Sequence, residues 1–293
     1  MAKESAQEDS ARDDSAQDDS ESEGVAAEGG ASRESAKRRT ALPSVSVWAA
    51  PPKERKRGTA PSGLTRQKIV RAAIALLDAE GEAGFSMRRL ATELGVTPMS
   101  VYWYVDNKSD LLELALDEAL GEMRIAPLTE ETDWRDHLRA MAHEYRAFYQ
   151  RHLWAVRIAG EVLPLGPNAL FFSTSAISAI ERTGLPPEQY VAVLGLVFQF
   201  VYGFATSEGQ QMIRIRAAGV TEDAYMQEVR DLAAHVDETF VENSDRISPP
   251  VEGEPMAAKR NRYFADSLEL ALDGIEARVV RDTAGPAARS ARR

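Results

Sequence analysis

The sequence predicts an all-α fold, and three observations carry that expectation. From Thr65 onward apolar residues recur at three- and four-residue spacing with little interruption. No segment alternates apolar and polar residues as a half-buried strand would. The periodic segments are separated by proline and glycine clusters, at Pro164-Leu165-Gly166-Pro167, Gly184-Leu185-Pro186-Pro187 and Ser248-Pro249-Pro250. At 293 residues the chain is long enough to bury a sizeable core.

Residues 1–62 differ from the rest. Residues 1–30 hold ten acidic residues against Lys3 and Arg12, and the following stretch reverses sign with Arg33, Lys37, Arg38, Arg39, Lys53, Arg55, Lys56 and Arg57. Such a segment, rich in Ser, Ala, Asp, Glu and Gly, buries too little apolar surface to offset its ordering entropy, so residues 1–62 read as a disordered acidic and then basic tail. The acidic part reads as a solvating tail; the sharper alternative is that it masks a basic surface elsewhere in the chain. Residues 1–30 alone carry a net -8, against -11 for the whole chain.

The first folded unit is expected over 63–110, with a following helix to about 122. Ile69, Ala73, Leu76 and Leu77 mark a helix ending near Gly81 and Gly84, and Met87, Leu90, Ala91 and Leu94 mark a second, shorter one. Ser86 is placed to cap that second helix, and Gly95 supplies the left-handed residue of a tight corner that Val96 plugs. Thr97 caps a third helix with Pro98 at its first position. Two short helices joined in this way form a helix-turn-helix, which lays its second helix in the DNA major groove. Val101 and Val105, four residues apart, are expected to pack inward. Pro98, Met99, Ser100, Tyr102, Trp103 and Tyr104 are left outward or along the rim, where aromatic rings suit thymine methyls and hydroxyls suit phosphates. Arg88 and Arg89 on the preceding helix are placed to reach a phosphate or a guanine edge and Lys108 to clamp a phosphate, the alternative being solvated surface charges; Asn107 caps the next helix, which Leu111, Leu112, Ala115, Leu116 and Leu120 continue.

These residues resemble the headpiece of the tetracycline-repressor (TetR) family: the corner at Gly95, the run Tyr102-Trp103-Tyr104-Val105, and Asn107-Lys108-Ser109-Asp110-Leu111-Leu112. By that resemblance Arg88, Thr97, Pro98, Met99, Ser100, Tyr102, Trp103, Tyr104 and Lys108 fall at positions that contact operator DNA. The segments Trp134–Arg139 and Tyr263–Glu276 are similar to two helices of the family's C-terminal domain, which makes 123–280 a regulatory and dimerisation domain followed by a disordered tail over 281–293. Further helices are expected near 133–152, 167–183, 187–212, 221–242 and 259–279. The resemblance implies a homodimer paired through the 187–212 and 259–279 helices, with Leu194, Val197, Phe198, Val201, Phe264, Leu268, Leu272 and Ile275 at the seam; the same residues also fit an intramolecular core.

Family members bind a small-molecule effector in the C-terminal domain. Tyr145, Phe148, Tyr149, Phe171 and Phe172 are the candidate lining, with Gln199 as a polar contact, although aromatic residues at this spacing also serve as plain core. The family's namesake holds a magnesium–tetracycline complex through histidines; here Arg124 and Ala159 stand at two such positions, so no metal site and no cofactor are expected. With no cysteine, thiol catalysis, disulfides and zinc ribbons are excluded, and neither a metalloprotease HExxH nor a phosphate-binding loop is present. The sequence thus points to a non-enzymatic, cytoplasmic, effector-responsive regulator of operator DNA with no membrane segment, in preference to a helical enzyme or an interaction scaffold.

Overall fold

The computed structural model describes residues 46–49, 63–249 and 251–283, and every regular element among them is helical. The headpiece consists of α1 (Arg66–Gly84), α2 (Met87–Glu93) and α3 (Pro98–Tyr102), and α4 (Lys108–Leu120) leads out of it. The rest is built from α5 (Trp134–Arg151), α6 (Ala155–Ile158), α7 (Pro167–Glu181), α8 (Pro187–Ala218), α9 (Glu222–Val236), α10 (Glu238–Ile247) and α11 (Met256–Thr283). Of the tails read as disordered, 1–45, 50–62 and 284–293 lie outside the described residues, as does any masking by the acidic segment.

The helices start where the caps place them. Thr65, Ser86, Thr97, Asn107 and Asp133 each accept a backbone N–H from the first turn of the helix that they precede. Several bounds differ from the periodicity. The single helix expected over 221–242 is broken at Asp237, whose backbone is extended and whose carboxylate caps α10 by accepting from Thr239 N at 2.9 Å. Helix α8 continues past 212 to the left-handed Gly219, and α11 spans 256–283 rather than 259–279. Helix α6, four residues long, is too short for periodicity to reveal. Helix α8 is also long and apolar enough to cross a membrane by length and composition, against the expectation of no such segment. Its stripe Val193, Val197, Val201 and Ala205 is buried inside the helical bundle.

Two apolar cores result. The first joins the headpiece to the core domain: Ile69, Leu77, Leu90, Val101, Leu111 and Ala115 pack in one cluster with Phe148, Tyr149, Trp154 and Ile158 of α5, α6 and the turn between them. The second holds Leu138, Ile180, Val193, Val197, Val201, Phe264, Leu268, Leu272 and Ile275, with Leu194 and Phe198 packed against it. The residues expected at a dimer seam are therefore in the chain's own core. Helices α8 and α11 lie against each other and against α5 and α7, so their i,i+4 stripes face inward and are covered before a second copy arrives.

Behind the second core runs a buried ionic network. Arg146 donates to both oxygens of Glu208 at 2.8 and 2.9 Å and to Asn261, and its guanidinium lies over the rings of Phe204 and Phe264. Gln150 and Arg260 also donate to Glu208, and Arg260 pairs with Glu222. One carboxylate thus ties α5, α8, α9 and α11 together. Burial alone would push the Glu208 pKa up, but the bonds from Arg146 and Gln150 outweigh it and hold it below the usual value.

The extension read as disordered contributes four residues to the fold. Ser46 Oγ donates to Glu113 on α4, Val47 N donates to the other oxygen of that carboxylate at 2.9 Å, and Val47 and Trp48 pack against the first core. Buried on α4, Glu113 takes these donors from outside its own helix.

Trp48→Ala will lower stability by about 1–3 kcal/mol in chemical denaturation, less than a fully buried indole because the ring is half-buried; unchanged stability would mean that 46–49 is not part of the folded unit. Glu208→Gln will cost about 3–5 kcal/mol at neutral pH, since it leaves buried guanidinium groups uncompensated. Because the Glu208 pKa is lowered on folding, its contribution is present above the unfolded value of about 4.3 and fades as pH falls through the folded one. The variant's acid-unfolding curve will be correspondingly shallower.

Candidate nucleic-acid interface and the core behind it

Helix α3 is presented by its own caps. Thr97 Oγ1 accepts from Ser100 N and shares a 2.9 Å hydrogen bond with Ser100 Oγ, and Pro98 occupies the first turn. The corner before it requires Gly95, whose φ of 66° lies in the left-handed region. Val101 and Val105 are buried, as the spacing predicts. That leaves Met99 at 69% exposure, Tyr102 at 43% and Trp103 at 39% on the outer face. Large apolar side chains exposed together on one capped helix have no use in the isolated fold, and they are the groups that read thymine methyls and groove walls.

The flanking residues divide. Arg88 is exposed and Lys108 half-buried, with the Lys108 ammonium 5.5 Å from the centre of the Phe85 ring. Arg89 forms a fork with Glu80, at 2.7 and 3.1 Å, and a further bond to Glu93. Tyr104 departs from its expected place. Its hydroxyl donates to Leu64 O at 2.8 Å and its ring packs on the first core, so it fastens the chain entering α1 rather than facing outward. Two residues beyond Tyr102, it lies about 200° further round the helix.

The expected effector lining is only partly assembled. Tyr145, Tyr149, Phe172, Phe198 and Tyr202 form a chain of aromatic contacts with ring centres 4.9 to 6.1 Å apart, and the Tyr145 and Tyr149 hydroxyls are 2.7 Å apart. Burial pushes the pKa of both phenols well above the ordinary value, so both are neutral. Phe148 belongs to the same cluster but is closed off in the first core. Phe171 and Gln199 turn outward. Each stands two residues from an inward position, Phe171 from Ala169 and Gln199 from Val197 and Val201, and so occupies the opposite side of its helix.

Helix α4 connects the two regions, and one of its buried carboxylates does so through hydrogen bonds. Asp117 accepts from Asn168 N at 3.1 Å, Ala169 N at 3.0 Å and Asn168 Nδ2 at 3.1 Å, which caps the start of α7. Gly166, at the N-cap of α7, has no side chain to do this, and a Cβ there would sit 2.1 Å from Asp117 Oδ1. Periodicity does not reveal this link, although two signals of it are present: a helix starting at Gly166-Pro167 without its own cap, and an aspartate amid the apolar residues of α4.

The match with known families follows this division. A model described as bacterial regulatory proteins of the tetR family matches residues 69–115, and the tetracyclin repressor-like C-terminal domain matches 126–279. The chain belongs to the TetR family. It is 36% identical over 166 residues to the HTH-type transcriptional repressor DrrR1 of Streptomyces coeruleorubidus, covering 57% of this chain and 61% of that protein. It is 37% identical over 163 residues to an HTH-type transcriptional regulator of Saccharopolyspora erythraea, covering 56% of this chain and 67% of that protein. Among solved structures, apo ActR from Streptomyces coelicolor is similar with a TM-score of 0.61 at 26% identity, covering 76% of this chain and all of that one. ActR in complex with actinorhodin is similar with a TM-score of 0.60 at 27% identity, covering 73% and 96%. As a TetR-family member the chain is a DNA-binding transcriptional regulator.

Two substitutions separate reading DNA from holding the headpiece together. Tyr102→Ala will weaken operator binding by about 1–3 kcal/mol, or roughly 5- to 150-fold, with no change in thermal stability. Tyr104→Phe will lower stability by about 0.5–1.5 kcal/mol and leave the affinity of the folded protein unchanged. Fluorescence anisotropy and thermal melts on the same samples check both, and a reversed pattern would exchange the two roles.

Proposed function

We propose that this chain is a repressor that holds operator DNA as a homodimer through α3 and releases it when a small molecule occupies the aromatic core. The observation that carries the reading is the exposed, capped face of α3 with Met99, Tyr102 and Trp103, set on a headpiece whose core is continuous with α4–α6 and the aromatic cluster beyond them. Arg88, Thr97, Pro98, Ser100 and Lys108 supply the surrounding polar and cationic contacts. The similar repressor DrrR1 supports the repressor half, and the actinorhodin complex of ActR supports the effector half. Such a protein works beside DNA in the cytoplasm and has no catalytic step.

For the effector, Tyr145, Tyr149, Phe172, Phe198 and Tyr202 are the proposed walls, suited by their rings to a flat, largely apolar molecule with a few polar groups. Signal transfer runs through Asp117. Phe172 lies on the first turns of α7, so a ligand that displaces it moves the helix start that Asp117 caps, and α4 follows with the headpiece. An effector that binds the released form about 3 kcal/mol more tightly weakens operator binding about 150-fold. For the dimer, the inward stripes of α8 and α11 are spent in the core. The proposed seam is the outward apolar set Val191, Leu196, Leu270 and Val280, exposed on the same two helices.

Footprinting the purified protein on the DNA upstream of its own coding sequence will protect a palindrome with half-sites about one helical turn or more apart. Protection of no site, or of a single asymmetric half-site, would overturn the dimeric repressor. On that duplex, Asp117→Asn will retain binding but blunt release by actinorhodin, the first compound to be tried. Equal release from both proteins would remove Asp117 from the pathway.

A further inference from the structure

His152 closes the joint between headpiece and core. It ends α5, is only 4% exposed, and packs against the rings of Phe148 and Trp154. Its Nδ1 lies 2.8 Å from Asp78 Oδ1 on headpiece helix α1, and its Nε2 lies 3.0 Å from Glu122 Oε2, just past the end of α4. Trp154 Nε1 donates to the same Asp78 oxygen at 2.7 Å. One imidazole therefore holds the headpiece, the exit of the connecting helix and the core at a single point.

The protonation state is dictated by the geometry. A neutral imidazole has one N–H and one lone pair, so with carboxylate oxygens at both nitrogens one contact would set lone pair against lone pair. Both contacts become hydrogen bonds only when both nitrogens carry protons. An imidazolium between two carboxylates, screened from water by two aromatic rings, satisfies all three groups.

Resting on the DNA-binding reading above, we propose that His152, held as an imidazolium between Asp78 and Glu122, is the positioning residue that sets the headpiece on the core, and that its deprotonation loosens the DNA-binding arrangement. Neighbouring charges do not replace it. From α1, Arg71 lines the groove with Asp78 and pairs with Glu118 of α4, which lies in that groove with Glu122. On the other side, Arg151 of the histidine's own helix lines the groove reached by Asp78 and Trp154, together with Arg157 and Arg216, and Arg157 is engaged by Glu82 and Glu161. Burial pulls the His152 pKa down, but the hydrogen bonds to Asp78 and Glu122 outweigh it and hold it above the ordinary value. With the folded pKa raised, the clasp is fully present below about pH 6.5 and is lost as pH rises through the folded value.

The test has one arm without DNA and one with it. Proton NMR titration of the full chain, with His152→Gln used to assign the resonance, will place His152 above the ordinary histidine pKa of about 6.5. Hydrogen exchange of α1–α3 amides, corrected for intrinsic rates, will be faster at about pH 9 than at about pH 6 in the wild type and equally fast at both in His152→Gln. In anisotropy with the footprinted duplex at constant salt, wild-type affinity will fall about tenfold across that range beyond the fall seen in His152→Gln. Glu122→Gln, altering a half-exposed side chain, will move the wild-type transition to lower pH and serves if His152→Gln does not fold. A His152 pKa at or below 6.5, or a His152→Gln profile that follows the wild type, overturns the proposal. If neither protein binds any upstream duplex, the regulator reading fails, while titration and exchange still decide the role of His152.

Discussion

Helix α4 is buried on nearly every side, and that constraint organises the molecule. Leu111, Leu112, Leu114, Ala115, Leu116 and Ala119 fill its circumference with apolar surface, and between them Glu113 and Asp117 are buried as well. A carboxylate out of water needs hydrogen-bond donors, and a helix gives its own mid-helix side chains none. Each acid therefore draws a partner from elsewhere in the chain. Glu113 takes Ser46 and Val47, which pins an otherwise polar extension to the fold. Asp117 takes the free N–H groups at the start of α7, where Gly166 leaves room for it. The connecting helix is thus joined by hydrogen bonds to the segments on either side, and it cannot slide without breaking several of them at once.

The same logic gives the headpiece its limited independence. Its core is continuous with Phe148, Trp154 and Ile158, so opening a cleft between headpiece and core would expose apolar surface at about 25 cal/mol per Å². Small rotations that keep that surface covered are the low-energy motion. They are controlled at the rim by the polar contacts, where a bond is made or lost over a few tenths of an ångström. Apolar packing fixes which motions are open, and the charged groups at His152 and Asp117 bias one position against another.

Much of this is legible in the sequence, for identifiable reasons. Caps, corner glycines and i,i+4 stripes act locally, so Ser86, Gly95, Thr97, Asn107 and the inward Val101 and Val105 are where the pattern puts them. The all-α class follows from the same periodicity. What periodicity does not encode is the partner that a stripe meets. Leu268 and Leu272 form a stripe equally suited to a second copy or to α8, and only the three-dimensional packing shows that it meets α8 within the chain. Residue type without helical phase misplaces Gln199 and Phe171. The long-range polar links, Ser46 to Glu113 and His152 to Asp78 and Glu122, span 30 to 74 residues of sequence and leave no local pattern at all.

The net charge of -11 raises one more question: how so acidic a chain approaches a polyanion. The folded part answers it by pairing. Arg89 is neutralised by Glu80 and Glu93, and Arg135 and Arg139 by Glu269, Asp273, Glu276 and Asp136, with Glu269 held to about 2 by its guanidinium partners. Opposite charges thus lie side by side, leaving a surplus of one acid around Arg89 and two around Arg135 and Arg139, which salt screens beyond about 8 Å at physiological ionic strength. In the docking proposed above, Arg88 and Lys108 on either side of α3 are the cations offered to phosphate, and they matter more than the sum over the chain. Local cations govern whether DNA is held, and the number of phosphates they neutralise sets how steeply that hold falls as salt is added.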